Sequence, residues 1–422
     1  MEGRIKETPK MEQSLQIAPT LASAPPRRPR VLVGFAEALA AIESAWSLEG
    51  AGFEVVAFAR RGTRPPLRRS GSVQVHELTP PELDRAAAEA DLGALLEAVA
   101  VDAVMPLDDI ALALCQGPCG DAGVKLIGPR GRQAEVALDK RLQIEAARAA
   151  GLNVPATVFL DGGPVPADLE FPLVVRPAAA VSAGAGTLGS APGATTCANR
   201  AELDRCLEGR GEGEVLMAQP QLRGSNEGLF GLVTPAGVRA WSSHRRLRMM
   251  NPAGSGSSAC ESTVPDPDLR DRVAAMLKAI GWQGIFMVEL MRDEEGAPWF
   301  IELNGRAWGS MALARAGGLE YPAWAARLAL GDDLGELPSS PPVAGLRARH
   351  LGRELKHALL VMRGPRSAAV PWPSRTRTLR DVFSFRRGDR FYNWSGRRAD
   401  LPLLFDDTVS TLRKRKPKSA AP

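Results

Sequence analysis

The 422-residue chain has no run approaching the roughly 20 consecutive apolar residues that a membrane-spanning helix needs, so no membrane span is expected. Its first thirty residues alternate charge, proline and small side chains without the apolar core of a secretory signal. Nothing there directs export, which gives the expectation of a cytoplasmic protein with a disordered leader over residues 1–29. Cysteine is scarce and odd in number: Cys115, Cys119, Cys197, Cys206 and Cys260 include no CxxC pair, so a zinc or dithiol redox site is excluded and reduced, buried thiols are expected. The four histidines, His76, His244, His350 and His357, are scattered, which argues against an imidazole-built metal centre. A GxGxxG loop is also missing. Gly34 stands alone after the first apolar run, and Glu37 sits where a dinucleotide pyrophosphate needs close backbone approach, so a nicotinamide cofactor is not expected.

What is present is ordinary for a globular enzyme: 45% hydrophobic and 24% charged residues, in a length that suits two or three packed units. The net charge of +5 is uneven. Residues 341–422 hold 19 Lys and Arg against 6 Asp and Glu, which leaves the first 340 residues acidic. The terminal run from Arg413 to Lys418 is read as a solvated, disordered end, and nucleic acid is not expected as a partner.

Apolar runs over 31–35 and 53–58 flank an Ala-rich helical stretch, and short strands follow near 73–76, 103–106 and 125–128, with a helix over 81–99. This alternation predicts a Rossmann-like parallel sheet over residues 30–130. One amphipathic connecting helix is predicted over 134–150. From Asn153 short strands, glycine-rich turns and occasional helices predict a small mixed sheet (155–159, 171–177, 215–219), then strands near 228–233, 238–242, 284–291 and 299–303, and a helix through 312–328. Residues 131–335 are expected to form the second unit, and 336–422 a basic C-terminal appendage whose fold the pattern does not specify.

The strongest chemical signal is Glu289 on one strand with Glu302 and Asn304 on the next. Side chains two apart on a strand face the same way, so Glu302 and Asn304 converge, and a paired strand adds Glu289. Hard oxygens without histidine suit Mg²⁺ (or Mn²⁺) completed by water and nucleotide phosphates. The same carboxylates could instead form an ion-pair cluster with Arg292 and Arg306.

Taken in order, these residues resemble the ATP-grasp ligases, in the carbamoyl-phosphate-synthase and biotin-carboxylase branch, over about Pro29 to Gly331. The pieces are Leu138-Asp139-Lys140, the run from Phe171 to Pro177, the small-residue loop 182–190, Met217-Ala218-Gln219-Pro220, Met287-Val288-Glu289-Leu290, and the run from Phe300 to Arg306. The resemblance implies an ATP-grasp fold, α/β and α+β, behind the Rossmann-like sheet, with ATP between the two subdomains. It implies Lys140 and Arg176 on the phosphates, the segment from Met217 through Gln219 to Leu222 beneath adenine, and Glu227 on the ribose. Glu289, Glu302 and Asn304 would hold the metal, and Arg306 the transferred phosphoryl group. Relatives usually carry Lys where Arg176 stands, and many carry Glu where Gln219 stands. His244, Arg246 and Arg248 would share one face of an extended strand, with both arginines aimed at an acyl phosphate or carboxylate. The glycine-rich loop 251–258 would cover the acceptor.

The implied reaction is ATP-dependent joining of a small-molecule carboxylate to an amine or other nucleophile through an acyl phosphate, releasing ADP and phosphate; the oligomeric state is not legible in these patterns, a homodimer being the commonest assembly. The rival is a degenerate nucleotide-binding or regulatory protein of the same fold. The acceptor and donor substrates lie beyond what these patterns specify.

Overall fold

The computed structural model describes residues 27–211, 213–254, 256–338, 344–365 and 372–413. Most of the expected leader, and the basic run beyond Arg413, lie outside the described residues.

Five parallel strands form the N-terminal sheet, in the spatial order Gln74–Leu78, Glu54–Arg60, Arg30–Gly34, Ala103–Pro106, Lys125–Leu126. Its inner strands are apolar on both faces because helices cover both. Leu32, Val56, Phe58 and Val104 enter one core, while Val31, Val33, Val55 and Met105 alternate into another, with Ile42 and Leu48 of the helix Ala41–Gly50. Each such side chain contributes roughly 1.5–3 kcal/mol of hydrophobic stabilisation. Glu37 is bound within the loop after the first strand, accepting from the Arg60 amide (2.8 Å) and the Thr63 hydroxyl. A helix not anticipated from the pattern, Asp109–Asp121, follows the fourth strand; Gly117 and Pro118 interrupt its periodicity, and the Asp108 carboxylate caps it at the Ala111 amide, 2.7 Å.

The expected single connecting helix is two, Arg132–Leu138 and Lys140–Ala149. Asp139 is extended (φ −124°, ψ 110°), and its carboxylate accepts from the Arg141 amide at 2.7 Å, starting a new helix at Lys140. The predicted small sheet has four strands, all paired antiparallel, in the order Thr195–Cys197, Leu173–Pro177, Leu216–Pro220, Val158–Leu160. The glycine-rich stretch between them forms a hairpin, Val181–Gly184 with Thr187–Ser190. It docks on the N-terminal unit, where the Arg85 amide donates to Gly186 O (2.8 Å), the Leu188 amide donates to Pro81 O (2.7 Å), and Leu188 is buried.

The largest sheet has seven strands, in the order Pro298–Asn304, Gly284–Arg292, Ser225–Thr234, Gly237–Met249, Ser257–Thr263, Arg347–Arg349, Arg390–Phe391. The strands expected at 228–233 and 238–242 are thus the two arms of one long hairpin. Gly224 precedes the first arm at φ +148°, where a Cβ would meet Arg292 O at 1.9 Å, so only glycine fits this approach. The helix expected through 312–328 is broken at Gly317-Gly318 into Met311–Ala316 and Tyr321–Leu330.

Among the described residues, the C-terminal basic segment does not form a separate appendage. Two of its strands extend the seven-stranded sheet, and the helices Leu351–Arg363, Arg375–Phe383 and Leu401–Arg413 pack beside it. Arginine can be internal here because it is paired. Fully buried Arg349 meets Glu354 (2.9 Å) and Asp389 (3.3 Å), two carboxylates that are themselves buried.

Candidate active site

Glu289 and Glu302 lie directly opposite each other on paired strands, and Asn304 opposes Met287 two residues further along. The Asn304 amide donates to Glu302 Oε1 at 3.1 Å, so Glu302 and Asn304 share a face. Arg292 and Arg306 do not close an ion-pair cluster on these carboxylates. Arg292 grips Glu227 through contacts of 2.9–3.1 Å, and Arg306 grips Asp109 at 2.8 and 3.1 Å.

The charges around Glu302 come from other elements. Lys140, first residue of the helix that Asp139 caps, places Nζ 3.9 Å from Glu302 Oε2. Arg176, on the four-stranded sheet, stands 3.7 Å from the same oxygen and donates to Ile301 O at 3.0 Å, bridging the two sheets. Burial alone would raise the Glu302 pKa; Lys140, Arg176 and the Asn304 bond together hold it below the ordinary carboxylate value. Burial pushes the Lys140 ammonium down, with Glu302 opposing and Arg176 assisting. Burial also works against the Arg306 charge, but Asp109, with Glu302 beyond it, outweighs that effect and raises its pKa.

Buried Gln143 sets the register of this cluster. Its Nε2 donates to Val136 O, Ala137 O and Leu303 O, each at 3.0 Å, and its Oε1 accepts from the Leu303 amide at 2.8 Å. The helix carrying Lys140 is thereby fastened to the strand carrying Glu302. Neither Gln143 nor Asp109 stands out in the sequence. The visible signal for Asp109 is the Asp108-Asp109 pair, which caps and opens a helix.

Gln219 is buried, its Nε2 on the Thr157 hydroxyl (2.8 Å) and its Oε1 3.4 Å from Arg176. Leu222 follows that strand, half-buried, and Glu227 stands on a strand, not in an open loop.

His244, Arg246 and Arg248 do not share one face as expected. A bulge between Arg246 and Arg248 breaks the alternation. Arg246 reaches Glu289 Oε1 at 2.7 Å, whereas Arg248 turns to buried Glu354, bonding it through Nε at 2.9 and 3.1 Å. His244 is buried edge-on to Phe230, with centroids 4.7 Å apart, and burial with the nearby Arg246 charge lowers its pKa to about 3. It is a neutral core residue and not an anion ligand. The 251–258 loop closes tightly where it is described, with the Met250 amide on Gly256 O at 3.1 Å.

Among the described residues, no three His, Cys, Asp or Glu side chains come together as a preformed metal centre. Two carboxylates and an amide oxygen still suit a hard cation that takes its remaining ligands from phosphates and water. The loose 3.7–3.9 Å pairs to Glu302 leave that carboxylate able to exchange partners.

No protein-family model matches the sequence, and no curated protein matches it. Solved structures do resemble the fold. An L-amino acid ligase from Bacillus licheniformis superposes with a TM-score of 0.57 at 19% identity, over 75% of this chain and 78% of that one. The biotin carboxylase domain of 2-oxoglutarate carboxylase from Hydrogenobacter thermophilus, solved with MgADP, ADP and bicarbonate, gives 0.56 at 19% identity over 73% and 70%. An N5-carboxyaminoimidazole ribonucleotide synthetase bound to ADP gives 0.57 at 11% identity over 76% and 80%. At such identities the likeness is one of fold.

Proposed function

From the premise that this chain has the ATP-grasp fold, we propose that it is an ATP-dependent ligase that joins a carboxylate to an amine or other nucleophile. The observation that carries this reading is the convergence of Lys140, Arg176 and Asn304 on Glu302, opposite Glu289 and between the two sheets, with Arg306 held nearby by Asp109. It is supported by neighbours of the same fold, one named an amino acid ligase and two solved with ADP.

In the proposed reaction a carboxylate oxygen attacks the γ-phosphorus of ATP and the bond to ADP breaks, giving an acyl phosphate. The nucleophile then attacks the acyl carbon, and phosphate leaves with the former carboxylate oxygen. Glu289, Glu302 and Asn304 would hold Mg²⁺, which when bound neutralises charge on the phosphates. Lys140 supplies a point charge and Arg176 a planar fork to the phosphate chain, each exchanging its loose contact with Glu302 for phosphate oxygens. Arg306, held by Asp109, stabilises charge that develops on the transferred group. Arg246, paired with Glu289, would receive the acyl phosphate or carboxylate. Adenine is assigned to the strand segment at Gln219 and Leu222, whose backbone offers a donor and an acceptor, and the ribose to Glu227.

Purified protein with Mg²⁺-ATP, screened for ADP release against pooled carboxylates and amines, tests this reading. One pool should stimulate release, and Glu302→Ala should abolish the stimulation while remaining folded. Turnover unchanged in Glu302→Ala would overturn the assignment.

A further inference from the structure

A second cavity, of about 490 Å³, opens beyond the carboxyl ends of the first two parallel strands. Ala36, Leu39 and Ile42 line it from the loop and helix after the first strand, and Thr63 and Pro65 from the loop after the second. The helices Leu351–Arg363 and Leu401–Arg413 close the opposite wall with Arg353, Lys356 and Asp407. The carboxyl ends of the strands are the side on which open parallel sheets take ligands. Its volume lies within the range of small-molecule sites.

The charge lining the cavity is lopsided. Arg353 donates only to a backbone carbonyl, Ser257 O at 3.2 Å, and among the described residues no carboxylate stands within ion-pair distance of it. Burial lowers its pKa and Arg246 adds to the effect; Tyr392 and Asp407 oppose it without offsetting it, so the folded chain holds this cation at a cost that a further anion would relieve. Lys356 stands one residue turn away and meets only Thr411 O, at 3.3 Å. Asp407 is already committed to His350, 3.2 Å away, and Glu37 to the Arg60 amide and Thr63. None of Lys140, Arg176, Glu289, Glu302, Asn304 or Arg306 lines the cavity, so a group bound on Arg353 is not the one held against the phosphates.

We propose that this cavity binds a small-molecule substrate through an anionic group, a carboxylate, separate from the carboxylate that is phosphorylated. Arg353 and Lys356 receive that group, and Leu39, Ile42 and Met250 line the space for the rest of the molecule. The inference rests on the ligase reading. The second carboxylate belongs either to the acid, making it a dicarboxylate, or to the nucleophile, making it an amino acid.

Titration calorimetry on the full-length protein, saturated with Mg²⁺ and a non-hydrolysable ATP analogue, separates these. One arm uses succinate, glutarate and citrate; the other uses the twenty L-amino acids; acetate and inorganic phosphate are controls. At least one dicarboxylate or amino acid should bind, and Arg353→Met should weaken it at least about tenfold, as expected for a lost charge-assisted hydrogen bond, without changing affinity for the analogue. Ala38→Phe, which fills the cavity from its N-terminal wall and leaves every charge in place, should block the same ligand. Binding by neither arm, or binding indifferent to both substitutions, overturns the cavity assignment. Failure of the wild-type protein to bind the analogue overturns the ligase reading instead.

Discussion

Replacing Glu354 with glutamine is expected to loosen the C-terminal segment from the seven-stranded sheet. The Glu354 carboxylate, 1% exposed, accepts from Arg248 Nε at 2.9 and 3.1 Å, from Arg349 at 2.9 and 3.2 Å, and from the Ser258 hydroxyl at 2.6 Å. Two guanidiniums thus depend on one carboxylate. Neutralising it leaves Arg248 without its ion-pair partner and Arg349 with Asp389 alone. Breaking a buried pair in this way costs about 3–5 kcal/mol, a large share of the roughly 5–15 kcal/mol that holds a domain folded. Burial by itself would raise the Glu354 pKa, but Arg248, Ser258 and Arg349 hold it below the ordinary value. Its stabilisation is therefore complete above the unfolded-state pKa and is lost as pH falls through the lower folded-state value. Urea unfolding followed by tryptophan fluorescence should show the deficit of Glu354→Gln at pH 7 and its shrinkage in acid. A variant within about 1 kcal/mol of wild type at pH 7 would refute the view that this network anchors the segment.

Gln143→Leu leaves the Leu303 amide and the carbonyls it served without partners; a loss of about 2–4 kcal/mol is expected in the same unfolding assay, with a larger fractional loss of ATP affinity than stability alone explains. His244 stays neutral in the fold down to about pH 3, whereas the unfolded chain protonates it near 6.5, so stability falls as pH drops between these values. The effect approaches about 3 kcal/mol at pH 4.5, and His244→Leu should flatten the stability profile between pH 6 and 4 by about one proton. An unchanged slope would contradict a buried, neutral imidazole.

The parallel sheet was legible because fully covered strands leave continuous apolar runs, as at Val31, Leu32 and Val33. Glu289, Glu302 and Asn304 were legible because strand periodicity fixes which side chains share a face. The same periodicity misled at Arg246 and Arg248, where one extra residue in the pairing reverses the second side chain, and no local pattern marks a bulge. Asp139 hid a helix break behind continuous amphipathicity; only its capping chemistry distinguishes it. Gly117 and Pro118 concealed the helix that delivers Asp109 to Arg306. The fold of 336–422 was not legible because the carboxylates that bury its arginines, Glu354 and Asp389, are few among many cations, and pairs such as Arg349 with Asp389, 40 residues on, and Arg248 with Glu354, 106 residues on, leave no periodic trace.

The most direct test of the account is the effect of Mg²⁺ on ATP affinity, measured by equilibrium dialysis for wild type, Glu302→Gln and Glu289→Gln, with circular dichroism to verify folding. In the wild type Mg²⁺ should tighten ATP at least about tenfold, and in both variants that gain should disappear, even though Glu302→Gln frees Lys140 and Arg176, and Glu289→Gln frees Arg246, to hold the phosphates. A gain from Mg²⁺ that survives in both folded variants would contradict the assignment of Glu289 and Glu302 to the metal.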